Sequence, residues 1–329
     1  MADEITGSTG RDLTRRRFLG AALAGGATVL AGGLPALVRA SVHSSSDSSF
    51  VIGGDLSVRR LGYGAMRLTG EGIWGWPPDR ANALKVLRRA VELGVNFIDT
   101  ADAYGPEVNE LLIAEALHPY PKDLVIATKG GNTRPGPDQW VPDGHPEYLT
   151  QCVEKSLKRL KLERIDLYQL HRIDPNVPVE DSLGALKKMQ EAGKIRHVGL
   201  SEVTVKEIER SRKVLPIVSV QNRYNIEYRR YDDVIAYCEK EKMGFIPWAP
   251  IGGSRKPVGK DESALAAEAK KRGVSVIQLA LAWLLQRSPV MLPIPGTSSL
   301  AHLEENMASA KIELTPAEWK SVEDLAKGA

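Results

Sequence analysis

The stretch "DRANALKVLRRAVELGVNFIDT", residues 79–100, carries two structural periods one after the other. In its first part Leu84, Leu87, Ala90 and Val91 return to one face at helical spacing, with Asp79 as a start signal and Gly94 as a stop. In its last part "NFIDT" is a near-continuous apolar run, which suits a strand covered on both faces. A helix that feeds such a strand is half of a parallel β/α unit. Working outward, the same kind of run recurs as "LVIATK" (124–129), "IDLYQLH" (165–171), "HVGLS" (197–201), "IVSVQ" (217–221), "GFIPW" (244–248) and "VMLPIPG" (290–296), with "RLGYGAM" (60–66) upstream. Amphipathic segments such as "DSLGALKKMQEAGK" (181–194) lie between them. Eight strand and helix units in about 290 residues predict an α/β fold, a closed (β/α)8 TIM barrel, with an open doubly wound sheet as the alternative. Just before the first strand, "FVIGGDLSVRR" (50–60) alternates around Gly53, Gly54 and Asp55 and predicts a β-hairpin that caps the bottom of the barrel.

The chain has 329 residues, of which 43% are apolar and 26% charged, the make-up of a globular protein with a large core. Its first forty residues differ. "TRRRFLG" (14–20) leads into "AALAGGATVLAGGLPALVRA" (21–40), a basic region followed by a weakly apolar one ending in small residues. That pattern predicts a signal peptide over residues 1–40, a linker over 41–49 and the barrel over 50–329, with an N-terminal membrane helix as the other reading. The paired arginines before Phe18 and Leu19 resemble a twin-arginine (Tat) export signal. Tat carries folded proteins, so its machinery is an expected partner and the periplasm or exterior the expected destination; without a working leader the chain stays cytoplasmic. Removing the leader takes away five basic and three acidic residues and leaves 39 against 38. Such a balance, with no basic run interleaved with aromatics, argues against a nucleic-acid or anionic-membrane surface. Cys152 and Cys238 sit in helical patterns and are expected as buried free thiols, with a disulfide outside the cytoplasm as the other reading. The six histidines show no metal-ligand spacing, so no metal site is expected.

In a barrel of this kind the polar residues at the C-terminal strand ends carry the chemistry. These ends supply Asp99, Tyr104, Lys129 and His171. An ammonium beside a phenol favours the phenolate and lowers its pKa, and a carboxylate paired with that ammonium keeps it charged. Tyr104 is therefore expected to titrate nearer neutrality than a free tyrosine and to exchange a proton with a carbonyl or alcohol oxygen, oriented by His171.

The blocks "FIDTADAYG", "ATK", "LHR", "GLSE", "VQNRYN", "FIPWAP" and "IPGTSSLAHLEEN", in that order, resemble the aldo-keto reductase family over residues 50–325, with its pyridoxal-reductase branch nearest in appearance. The resemblance implies a catalytic tetrad of Asp99, Tyr104, Lys129 and His171, with Tyr104 as proton donor. It further implies that Ser201, Glu202 and Gln221 meet the nicotinamide carboxamide, that Trp248 stacks on the ring, and that Ile251 and Gly253 line the pyrophosphate, with Arg255 or Lys256 as charge partners. Ser298, His302, Glu305 and Asn306 complete the implied cofactor site. NADPH is the expected cofactor, with NADH possible, and a small carbonyl compound the expected substrate of a monomeric oxidoreductase. Two departures stand out. Glu202 replaces an Asn found in many relatives, and "GTSSLAHLEEN" (296–306) lacks the Lys or Arg that often holds the 2′-phosphate. Trp74, Trp76 and Trp140, in loops after the strand ends, are candidate walls of an apolar substrate pocket. Two other readings remain open: a cofactor-loaded regulatory module, as in the potassium-channel subunits of this family, and a barrel hydrolase or lyase using the same Lys and Asp.

Overall fold

The computed structural model describes residues 49–253, 256–259 and 263–327. The expected leader (1–40), most of the linker and Arg255 lie outside the described residues. The described chain opens with β1 (Ser49–Ile52) and β2 (Leu56–Arg59), paired antiparallel across a turn in which Gly53 and Gly54 take positive φ. Then come β3 (Tyr63–Gly64), α1 (Arg80–Glu92), β4 (Phe97–Asp99), α2 (Val108–Leu117), β5 (Val125–Gly130), the ribbon β6 (Asn132–Thr133) and β7 (Val141–Pro142), α3 (Pro146–Leu160), β8 (Ile165–Leu170) and α4 (Val179–Glu191). The second half holds β9 (Ile195–Ser201), α5 (Val205–Ser211), β10 (Ile217–Gln221), α6 (Asp232–Glu241), β11 (Gly244–Phe245), the ribbon β12 (Gly252–Gly253) and β13 (Lys256–Pro257), then α7 (Ala264–Lys271), α8 (Val276–Arg287), α9 (Leu300–Ala308) and α10 (Pro316–Lys327).

Strands β3, β4, β5, β8, β9, β10 and β11 pair in that order, all parallel, in one seven-stranded sheet. Residues 290–294 close it into a (β/α)8 barrel. Phe245 N–H donates to Val290 O and Leu292 N–H donates to Phe245 O, both at 2.8 Å, while Gly62 N–H on the other edge donates to Pro293 O at 2.9 Å. The expected eighth strand is thus a bridge rather than a full ladder, because Pro293 and Pro295 have no N–H to give.

Helix α1 shows how the sequence pattern becomes packing. Asp79 caps it by accepting from Asn82 N–H at 2.8 Å, as its start signal predicts. The buried face is Ala83, Val86, Leu87 and Ala90, while Leu84 and Val91 are half-buried, so the contact stripe is rotated slightly from the expected one. Inside the barrel, Ile52, Leu56 and Val58 of the hairpin pack on Phe97, Leu167, Ile246 and Leu292. The hairpin is the bottom plug that the sequence suggested. Along β8 the two-residue alternation sends Leu167 and Gln169 inward and Tyr168 and Leu170 towards the helices, and β5 does the same with Ala127 and Lys129. Cys152 on α3 and Cys238 on α6 are buried free thiols. No described helix is long and apolar enough to cross a membrane.

Candidate active site

Asp99 ends β4, Lys129 lies one residue from the end of β5, and His171 directly follows β8, so three adjacent strands deliver three side chains to one rim. Tyr104 comes from the turn after β4. The chain can turn there because Gly105 takes φ +98°, where a Cβ would fall 2.5 Å from the side chain of Val108.

Lys129 is fully buried and all three of its ammonium hydrogens are used. Nζ donates to Asp99 Oδ1 at 2.6 Å, to Thr100 O at 2.8 Å and to Tyr104 Oη at 3.2 Å. Burial works against its charge, but Asp99 and Tyr104 outweigh burial and hold its pKa above the ordinary lysine value. The other oxygen of Asp99 accepts from Gln169 Nε2 at 3.1 Å and Gln221 Nε2 at 2.8 Å. Gln169 escaped the sequence reading, although its inward parity on β8 marks it.

Tyr104 corrects one expectation. Burial raises its pKa above 10, and the opposing pull of Lys129 does not overcome that. The phenol is therefore held firmly protonated, in the state of an acid rather than that of a base. His171 moves the other way: burial first, then the charges of Lys129, Arg172 and Arg134, push it well below 6.5, so the ring is neutral. Its Nδ1 is buried without a hydrogen-bond partner. The rings of Tyr104, His171 and Trp140 meet edge to face, with centroids 5.8 to 6.1 Å apart.

The expected tryptophans divide. Trp140 meets the rings of Tyr104 and His171, and Trp74 lies near it, each within 6 Å of the Arg134 guanidinium carbon, at 3.7 and 5.7 Å. Trp76 is exposed and lies beneath the guanidinium of Arg80 at the start of α1, so the structure does not bring it into this cluster. Arg134 itself had no signal in the sequence beyond its place between two loops.

On the other side of the rim, Ser201 Oγ accepts from Arg172 Nη1 at 3.1 Å. Glu202 has φ +57° and spends its carboxylate on the chain: Oε1 accepts from Arg223 N–H and Trp248 Nε1, each at 2.6 Å, and Oε2 from Tyr231 Oη at 3.2 Å. Its role is to fix the indole of Trp248. Ile251 precedes the β12–β13 ribbon that contains Gly253 and the backbone of Lys256. Helix α9 begins after Ser298 and is capped by Ser299, whose Oγ accepts from His302 N–H at 3.3 Å. His302 is exposed, Glu305 half-buried, and Asn306 buried with Nδ2 unpartnered.

A nicotinamide dinucleotide fits this donor set: a hydroxyl and an amide at the barrel mouth, an indole held by a carboxylate, a Gly-Gly ribbon, the positive end of a helix and an orphaned amide nitrogen in that helix. The Aldo/keto reductase family profile matches residues 60–327. The chain belongs to that family. An oxidoreductase of uncharacterised activity from Schizosaccharomyces pombe is 50% identical over 275 residues, covering 84% of this chain and 89% of its own. Pyridoxine 4-dehydrogenase of Escherichia coli is 45% identical over 276 residues, covering 82% and 95%. Among solved structures, glycerol dehydrogenase from Gluconobacter oxydans superposes with a TM-score of 0.75 at 28% identity, covering 86% of this chain and 95% of that one. As a member of the aldo/keto reductase family, the protein is an NAD(P)-dependent oxidoreductase acting on small carbonyl compounds.

Proposed function

We propose that this reductase uses Tyr104 as the proton donor to the oxygen of an aldehyde or ketone, with NADPH preferred over NADH. The observation that carries the reading is the phenol itself: buried, protonated, and 3.2 Å from an ammonium whose other donors are spent on Asp99 and Thr100. When bound, the nicotinamide supplies the hydride. Lys129 stabilises the phenolate left after proton transfer, which makes Tyr104 a stronger acid at the moment it gives up its proton. Asp99 keeps Lys129 charged and aimed, and Gln169 and Gln221 keep Asp99 in place. Neutral His171 can donate to the substrate oxygen without adding a charge that would repel Lys129.

Ser201, Gln221 and Trp248 would hold the nicotinamide, Ile251 and Gly253 the pyrophosphate, and the α9 region with Ser298, His302, Glu305 and Asn306 the adenosine end. The hydroxyls of Thr297, Ser298 and Ser299 at the positive end of α9 support binding of a 2′-phosphate without a formal cation. Paired fluorescence titrations decide this, and NADH binding at least as tight as NADPH would count against it. The likeness to pyridoxine 4-dehydrogenase supports an aromatic aldehyde of the pyridoxal kind as substrate; turnover of pyridoxal, measured beside short aldehydes, decides that point, and light scattering tests the proposal that the chain works as a monomer. The twin arginines of the leader support export by Tat, and an unchanged cellular distribution of an Arg16→Lys, Arg17→Lys chain would refute it.

Replacing Tyr104 by Phe tests the central claim. Loss of about 10²–10⁴-fold in aldehyde turnover is expected, with NADPH affinity unchanged. Turnover at the parent rate overturns the assignment.

A further inference from the structure

Arg134 lies between β6 and β7, outside the tetrad and outside the expected cofactor site, yet it holds together more of the rim than any tetrad member. Nη1 donates to Ile73 O at 3.0 Å and to Ala103 O at 2.7 Å. Nη2 donates to Gly72 O at 2.9 Å, and Nε donates to Gln139 O at 2.7 Å. These carbonyls belong to three segments: the loop after β3, the turn that presents Tyr104, and the loop that presents Trp140. The guanidinium plane also covers the Trp140 ring, 3.7 Å from its centroid. No lysine can do this, because a point charge has neither the fork nor the flat face. Trp140, covered by Arg134, meets Tyr104 and His171 in steeply inclined ring contacts, at 6.1 and 6.0 Å between centroids.

We infer that Arg134 is a positioning residue that fixes Trp140 against the Tyr104 phenol and thereby selects substrates with a flat aromatic body next to the carbonyl. The inference rests on the carbonyl-reduction reading above and adds to it which residue sets specificity. Arg134 also clasps the Tyr104 turn through Ala103 O, and any loss from that contact falls on every aldehyde alike; a short aliphatic aldehyde, which is too small to need the Trp140 wall, suffers no loss beyond it. An aromatic aldehyde loses its wall when the guanidinium no longer holds the indole.

The test compares benzaldehyde with propanal as substrates of the full chain, in the parent, Arg134→Lys, Trp140→Leu and the double variant. Arg134→Lys is expected to lower the benzaldehyde to propanal ratio of kcat/KM about tenfold, mainly through the KM of benzaldehyde, one tenfold step being about 1.4 kcal/mol. In the Trp140→Leu background the Arg134 change is expected to add nothing further to the ratio. Equal losses for both aldehydes, an unchanged ratio, or additive effects overturn the inference. Should Arg134→Lys not fold, Trp140→Leu decides alone: a benzaldehyde to propanal ratio equal to the parent's overturns it. Benzaldehyde binding to the NADP⁺-loaded proteins, read by tryptophan fluorescence, gives the same comparison without turnover. A parent that binds but reduces neither aldehyde defeats the carbonyl-reduction reading, and leaves the binding comparison to judge Arg134.

Discussion

Three hydrogens leave Lys129 Nζ, and the fold provides an acceptor for each, so the ammonium has no freedom to wander from the phenol. The same saturation governs Glu202. Its carboxylate anchors the Trp248 indole and the Arg223 amide from a left-handed backbone position that costs a non-glycine residue something to occupy. Glu202→Ala leaves these two donors and the Tyr231 hydroxyl without their acceptor, and we expect a loss of about 1–3 kcal/mol in urea unfolding. Nicotinamide binding should weaken as well, because the freed indole no longer presents a fixed face; quenching of tryptophan fluorescence by NADPH at parent affinity would show that Glu202 does not act through Trp248. The sequence revealed that Glu202 departs from its relatives but not where its oxygens turn, because its partners Arg223, Tyr231 and Trp248 lie 21 to 46 residues away.

Between elements, α2 and α3 are joined by a buried ion pair. Glu110 on α2 is fully buried and accepts from Arg159 Nε of α3 at 2.6 Å and from Thr128 Oγ1 of β5 at 2.5 Å. Removing the arginine strands a carboxylate in the interior, and Arg159→Ala is expected to cost about 3–5 kcal/mol. By contrast Arg210 and Glu180, paired at 2.6 Å between α5 and α4, have side chains 55% and 44% exposed, and Arg210→Ala should leave stability close to the parent's because water screens the pair. Denaturant midpoints check both, and comparable losses would mean that burial does not decide the worth of these pairs. Elements of this kind were legible where they depend on local pattern: the Asp79 cap, the apolar strand runs and the hairpin turn at Gly53 and Gly54. They were less legible where a strand is built from prolines. "VMLPIPG" reads as a full strand, but only its non-proline amides can pair, so it closes the barrel as a bridge. The loops carry the rest, since nothing in the spacing of Trp74, Trp76 and Arg134 says that one indole joins Arg134 beside Trp140 and the next stacks outside on Arg80.

For the whole molecule, buried titratable groups around the rim set opposing pH dependences. His171 is neutral in the folded chain, with its pKa well below 6.5, so below about pH 6.5 the unfolded chain binds a proton that the folded one does not, and stability rises with pH there. Asp102, two residues before Tyr104, is pushed up to about 7 by burial and then by Glu110, and its Oδ1 has no partner. Between about pH 4 and 7 the folded chain therefore keeps a proton that the unfolded chain has released, and this group makes stability fall with rising pH, the loss being complete above 7. Each contributes a slope of up to about 1.4 kcal/mol per pH unit, so from about pH 5 to 6.5 the two largely cancel. Asp102→Asn removes only the second. Its unfolding free energy should climb with pH across that window, where the parent's is nearly flat. At pH 8 the variant should be more stable than the parent by about 1–4 kcal/mol, since the parent there holds an ionised carboxylate in a buried place. Urea unfolding at pH 5, 6.5 and 8 reads this directly. A constant difference between the two proteins at all three values would show that the Asp102 carboxyl titrates like an exposed one, despite its 8% exposure.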